Sequence, residues 1–154
     1  MISDSEKQTR LIAAGLIKKY RRELKAKCLI FTLRGDLGSG KTVFAKGVAE
    51  ALGIKKIIRS PSFIIQREFS YENEGVKGNF VHLDLWRMES KAEVKKLKIE
   101  NSIKPGNVIL IEWAEKMGAI AEKLNGLNEA KIIAVKIGFV DETKRKLEIE
   151  TKRD

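Results

Sequence analysis

A chain of 154 residues, 43% of them hydrophobic, has enough apolar material for one core of ordinary size and carries no low-complexity tract. No apolar run approaches the roughly 20 residues needed to span a bilayer, the N-terminus is too polar for a secretory signal, and the lone Cys28 cannot form an internal disulfide, so a cytoplasmic protein without membrane contact is expected. The net charge of +10 rests on 31 basic residues, 22 of them lysine, interleaved with glutamates and without stacking aromatics; this fits a solvated surface as well as a nucleic-acid face.

In chain order, Ile12, Leu16 and Tyr20 form one apolar stripe and predict a helix over residues 6–20, with Ser3 or Ser5 as N-cap. Cys28-Leu29-Ile30-Phe31-Thr32-Leu33 is a short β-favouring run of core-strand length. It leads into Gly35-Asp36-Leu37-Gly38-Ser39-Gly40-Lys41-Thr42, a complete G-x-x-x-x-G-K-[ST] loop. Glycines at these places let backbone N–H groups turn inward as an anion nest, and the positive end of a following helix points to the same spot. Lys41 can reach the β- and γ-phosphates and the Thr42 hydroxyl can hold Mg²⁺. The context agrees: Phe44, Val48 and Leu52 recur every four residues, and Gly53 stands where a helix-ending glycine belongs.

Further on, a short strand near Ile57 and Ile58 is expected to run into Ser60-Pro61-Ser62-Phe63, where proline breaks it. Residues 64–69 read as a strand, residues 73–75 and 77–79 as turns, and residues 80–86 as a second strand. Residues 89–99 read as a lysine-rich helix closed by Pro105-Gly106. Val108-Ile109-Leu110-Ile111 is the most apolar run and suits a strand buried on both faces. A helix over 114–124 and strands over 131–137 and 146–149, joined by a polar turn at 141–143, complete the chain. The alternation predicts a single α/β domain over 1–154: a three-layer P-loop NTPase-like fold whose mixed, mostly parallel sheet carries antiparallel additions and a C-terminal hairpin.

A phosphate loop needs carboxylates for the metal and the attacking nucleophile, at the ends of neighbouring strands. Asp84 and Glu112 both stand where an apolar strand stops, and both are expected at the carboxyl edge of the sheet beside the loop; spacing alone does not say which one faces the metal. His82, the only histidine, shares a strand face with Asp84, and a hydrogen-bonded structural role is favoured over a catalytic one. Trp86 and Trp113 follow the two carboxylates, with ordinary aromatic packing as the default and stacking near a base as the alternative. Ser62 is placed to reach a γ-phosphate from a loop that orders on binding, or to be a simple turn hydroxyl.

The set of residues 35–42, Ser60-Pro61-Ser62-Phe63, His82-Leu83-Asp84-Leu85-Trp86-Arg87 and Ile111-Glu112-Trp113 resembles the TsaE (YjeE) family of P-loop ATPases, which serve the threonylcarbamoyladenosine (t6A) modification of tRNA. The resemblance runs from about Thr9 to the C-terminal hairpin. It implies that Leu37, Gly38, Ser39, Gly40, Lys41 and Thr42 hold the ATP phosphates, that Thr42 and Glu112 coordinate Mg²⁺, and that Asp84 is the essential acid near the attacking water. It also implies Ser62 in a switch-like loop, with Trp113 and Thr9 close to the nucleotide. Catalytic roles for Asp84, Lys41 and Glu112 follow, with TsaB- and TsaD-like proteins as partners and tRNA reached indirectly through their complex. Two residues depart from the family's usual pattern: Ser62 replaces a threonine and keeps the hydroxyl, and Trp86 replaces a tyrosine and loses the phenol. The 89–104 connection is also unusually basic.

Slow hydrolysis by the isolated chain is expected, since no arginine is dedicated to the site, with Arg59 and Arg87 as the available candidates. The alternative is a small-molecule kinase of the same loop class, which would need an acceptor pocket and a mobile, arginine-bearing lid. A regulatory GTPase would read guanine through an Asn/Thr-Lys-x-Asp segment, which is not expected here, so ATP is preferred. A purely RNA-binding protein is suggested by charge alone.

Overall fold

The β-favouring runs assemble into one seven-stranded sheet of order β1-β7-β6-β2-β5-β4-β3. The structure is a computed structural model and describes residues 1–56, 58–59 and 64–151. The strands are β1 (Ile2–Ser3), β2 (Cys28–Arg34), β3 (Gln66–Asn73), β4 (Val76–Asp84), β5 (Val108–Glu112), β6 (Ala130–Phe139) and β7 (Arg145–Thr151). Its centre is parallel: β2 pairs with β5 and β6, and β5 pairs with β4. The antiparallel additions are β3 on β4, β7 on β6 and β1 on β7. This is the expected architecture.

The central strands are buried on both faces, and their alternation divides the core. Leu29, Phe31 and Leu33 of β2, with Val108 and Leu110 of β5, pack under helices α1 (Glu6–Lys19), α2 (Arg21–Leu24) and α3 (Lys41–Ala51). Cys28, Ile30, Ile109 and Ile111 face the other layer, built from α4 (Lys91–Lys96), two 3₁₀ turns (Ile99–Ser102 and Ala114–Met117) and α5 (Ala119–Asn125). Ser5 caps α1, its Oγ accepting from the Gln8 N–H at 3.2 Å. At the far end of α3, Gly53 adopts φ +76 and closes the helix as the sequence predicts.

The sequence reading differs from the structure at several boundaries, each with a local cause. The single helix predicted over 89–99 is interrupted because Lys98 sits at φ 48, leaving the six residues of α4 and a 3₁₀ turn. The helix predicted over 114–124 is split at Gly118, φ 55. The hairpin between β3 and β4 turns on Glu74 and Gly75, both at positive φ, so residues 77–79 lie inside β4 and make no second turn. The strand predicted over 80–86 starts earlier and stops at Asp84, and the one predicted from residue 64 starts at Gln66. The strands β1 and the short helix α2 carry too little periodicity to be predicted. Ile58 lies in no regular element, and the expected strand partner Ile57 and the segment 60–63 lie outside the described residues.

Candidate functional site

The site begins where β2 ends. Gly35 has φ +152, and a Cβ placed on it would stand 2.3 Å from the Ile137 carbonyl oxygen, so only glycine fits between β6 and the loop. Gly40, at φ +108, is the residue before α3, and no side chain caps that helix. The first-turn N–H groups of α3 are therefore turned toward the loop, where an anion binds favourably. Lys41 opens the helix and is 4% exposed. Its Nζ donates to the Gly35 and Asp36 carbonyls at 2.6 and 3.0 Å and lies 4.0 Å from the centre of the Trp113 ring. Burial draws the Lys41 ammonium below its ordinary pKa, against the pull of Glu112, Glu115, Asp84 and Asp36.

The carboxylates arrive from the adjacent parallel strands. Asp84 of β4 and Glu112 of β5 are register partners at the carboxyl end of the sheet. Alternation places both on the α3 face, the face of Phe80 and Leu110. Both are buried. The Thr42 hydroxyl lies 3.1 and 3.3 Å from the two Glu112 oxygens, and Asp84 Oδ1 accepts the Trp86 N–H at 2.9 Å. One hydroxyl and one carboxylate converging beside a glycine-rich loop are oxygen donors of the kind that could hold a Mg²⁺ ion. The described residues contain no group of three or more His, Cys, Asp and Glu side chains able to hold a metal, so an all-protein cage is not what these residues offer.

A cleft of about 480 Å³ gathers most of the expected residues: Leu37, Gly38, Gly40, Lys41, Thr42, Asp84, Glu112 and Trp113 line it, with Glu6, Val43, Trp86 and Arg87. Ser39 and Thr9 lie in an adjoining pocket of about 80 Å³ that shares Glu6, Gly38, Gly40 and Val43 with the cleft and adds Ser5, Thr143 and Arg145. Thr9 is buried and 2.7 Å from the Ser3 hydroxyl. Ser62 lies outside the described residues. Arg59 is not among the cleft-lining residues, whereas Arg87 is. A larger groove of about 600 Å³ along the far end of α3 shares no residue with the cleft. Without converging buried carboxylates, that groove has no comparable claim to phosphate chemistry.

Several contacts escaped the sequence reading. His82 is fully buried and its Nε2 lies 2.8 Å from Glu112 Oε1. Alternation along β4 could have put His82 on the correct face, but only the β4–β5 register brings it to Glu112. Trp86 and Trp113 pack with ring centres 4.3 Å apart and planes tilted by 41°, and Lys116 donates to the carbonyls of Trp86 and Met88. Trp113 adopts φ 59, a left-handed conformation that turns the chain sharply out of β5. The letters of the guanine-reading pattern do occur at Thr151-Lys152-Arg153-Asp154, against the expectation of none. Thr151 pairs with Ile133, and β7 runs away from the phosphate loop; residues 152–154 lie outside the described set.

The sequence profile described as Threonylcarbamoyl adenosine biosynthesis protein TsaE matches residues 3–147. The chain belongs to the TsaE family. Among TsaE relatives, the chain is similar to tRNA threonylcarbamoyladenosine biosynthesis protein TsaE of Bacillus subtilis, 45% identical over 85 residues; that match covers 55% of this chain and about half of the relative, 50%. It is also similar to the TsaE protein of Rickettsia typhi, 32% identical over 143 residues, 92% of this chain and 88% of that one. The crystal structure of Bacillus subtilis YdiB superposes with a TM-score of 0.61 at 29% identity, covering 98% of this chain and 82% of the other. The family, its P-loop NTPase-like sheet and the phosphate loop thus agree. No helix among the described residues is long and apolar enough to cross a membrane.

Proposed function

We propose that this chain is a Mg²⁺-dependent ATPase domain, working in the cytoplasm with TsaB- and TsaD-like partners in t6A formation on tRNA. The observation that carries the reading is the Thr42–Glu112 contact of 3.1 Å beside the phosphate loop, with Asp84 as the register neighbour of Glu112. The names of its TsaE relatives support the pathway.

In this reading the loop amides and the N-terminus of α3 bind the phosphates, and Lys41 supplies a buried positive charge as negative charge builds on the γ-phosphate. Thr42 and Glu112 would hold Mg²⁺, which would supply positive charge to neutralise the phosphates. Asp84 orients the attacking water, and Thr9 and Trp113 lie beside the nucleotide. Ser62 would complete the γ-phosphate contacts. Catalysis of this kind is mostly positioning, so a site relying on Arg87 alone for additional charge should be slow without partners.

The test is ATP turnover and co-purification with the partner proteins, with and without ATP. Asp84→Ala is expected to bind nucleotide yet stop hydrolysis, and Glu112→Ala to lose the dependence on Mg²⁺. Full turnover by Asp84→Ala would remove that residue from the mechanism. A phosphorylated small-molecule acceptor, formed as fast as a metabolic kinase works, would replace the whole reading with the kinase one.

A further inference from the structure

We infer that His82 is a positioning residue that fixes the Glu112 carboxylate for its metal. The inference rests on the Mg²⁺-nucleotide reading of the site and adds to it a residue that works through Glu112.

A glutamate side chain has three rotatable bonds, and holding its carboxylate in one place requires contacts that remove that freedom. Glu112 receives two of them, from different elements. Thr42 of α3 donates its hydroxyl at 3.1 Å, and His82 of β4 stands 2.8 Å from the same oxygen, Oε1. A carboxylate accepts only, so His82 Nε2 carries the proton in this pair. If Thr42 turns to a metal, its contact with Glu112 is given up, whereas the His82 contact can persist.

His82 is itself held rigidly. β4 is paired on both sides at this residue, with Arg67 of β3 and Leu110 of β5. Its ring is fully buried and stacks on Phe80, centres 6.0 Å apart at 17°. The other ring nitrogen, Nδ1, meets no hydrogen-bond partner among the described residues. A buried polar atom left unpaired lowers stability, and an apolar side chain would suit a site stacked on Phe80 better. The polarity of this residue is therefore spent on Glu112, in the manner of the outer-shell groups that orient metal-binding carboxylates.

The experiment measures ADP affinity by calorimetry with and without Mg²⁺, together with thermal unfolding. In the wild type Mg²⁺ is expected to strengthen binding. His82→Leu deletes the donor, and that strengthening is expected to shrink about tenfold, as for loss of an outer-shell partner, while Mg²⁺-free affinity and melting temperature hold. His82→Gln, which retains an N–H donor, should recover part of it. Adding His82→Leu to Glu112→Gln should cost nothing further. If His82→Leu does not fold, His82→Phe, which keeps the stack on Phe80, takes its place; failure of both to fold would overturn the inference, since the histidine would then be structural. So would an unchanged Mg²⁺ effect, an equal loss of Mg²⁺-free affinity, or additive losses in the double variant. A wild type whose ADP binding ignores Mg²⁺ overturns the function itself, a different outcome from a variant that merely matches a Mg²⁺-responsive wild type.

Discussion

The two faces of the sheet are built differently, and the charged residues of the candidate site gather on one of them. The α1/α3 face is covered by helices of 14 and 11 residues in close contact: a Cβ on Gly47 of α3 would come within 2.5 Å of the Arg10 carbonyl oxygen of α1. The opposite face is covered by α4 and α5, of six and seven residues, and by two 3₁₀ turns. Lys41, Thr42, His82, Asp84 and Glu112 meet on the α3 face. The α4/α5 side contributes the tilted Trp86–Trp113 pair and the Lys116 tie at the rim of the cleft. Groups that must stay within a few tenths of an ångström stand on the first turn of α3 and the parallel strands, and the broken segments border the opening.

The largest effect that would test this division is on the α3 face. Lys41→Ala should weaken nucleotide binding by about 100-fold or more in calorimetry, the scale of losing one buried charge donor to phosphate. A loss below threefold would mean the buried lysine is not part of the phosphate site. Next is Gly47→Ala, which pushes backbone against backbone and should destabilise the protein by about 1–3 kcal/mol in denaturant unfolding. On the other side Gly126→Ala meets only ordinary contact, its nearest atom 3.5 Å away, and should stay within about 0.5 kcal/mol. Equal costs for the two glycines would abolish the distinction between the faces.

Alkaline stability compares how dry each side is. Burial pushes the Cys28 thiol, on the α4/α5 side, from 9.0 up to about 12, and the Tyr71 hydroxyl, on the α1/α3 side, from 10.0 to about 12. In each case the unfolded chain releases its proton first. Stability is therefore complete below the unfolded value and declines as pH rises toward the folded one, by up to about 1.4 kcal/mol per pH unit per group. Thermal melts between pH 8 and 11 should show Cys28→Ala flattening the decline from pH 9 and Tyr71→Phe flattening it only from pH 10. A wild-type stability that stays level over that range would show that neither face is dry. A further small effect is expected at Ser90, whose Oγ accepts the Glu93 N–H at 3.2 Å and caps α4. Ser90→Ala should cost about 1 kcal/mol or less, and hydrogen exchange should place the loss in residues 91–96 and leave α3 unaffected.

Much of this was legible in the sequence where the signal is local. The loop needs glycines at fixed positions, so residues 35–42 identified the nest and the start of α3. Strand-end position picked out Asp84 and Glu112, and Gly53 marked the end of α3. Periodicity failed where a single left-handed residue, Lys98 or Gly118, interrupts an otherwise helical pattern, since an isolated positive φ at lysine leaves no compositional mark. It also could not bring His82 to Glu112 or Trp86 to Trp113, because both meetings depend on how far one strand slides along its neighbour.

By itself, then, the sequence determined a phosphate-binding loop between a buried strand and a helix, two acidic residues at strand ends, and the family to which these belong. Only the tertiary structure decided that Thr42 and His82 both reach Glu112, that Asp84 stands beside it, and that all of them share the α3 face. Chemistry along a chain is set by residue type and spacing over a few positions. The meeting of residues 30 to 70 positions apart is set by strand register and helix packing, which many weak contacts fix together and no short stretch of sequence records.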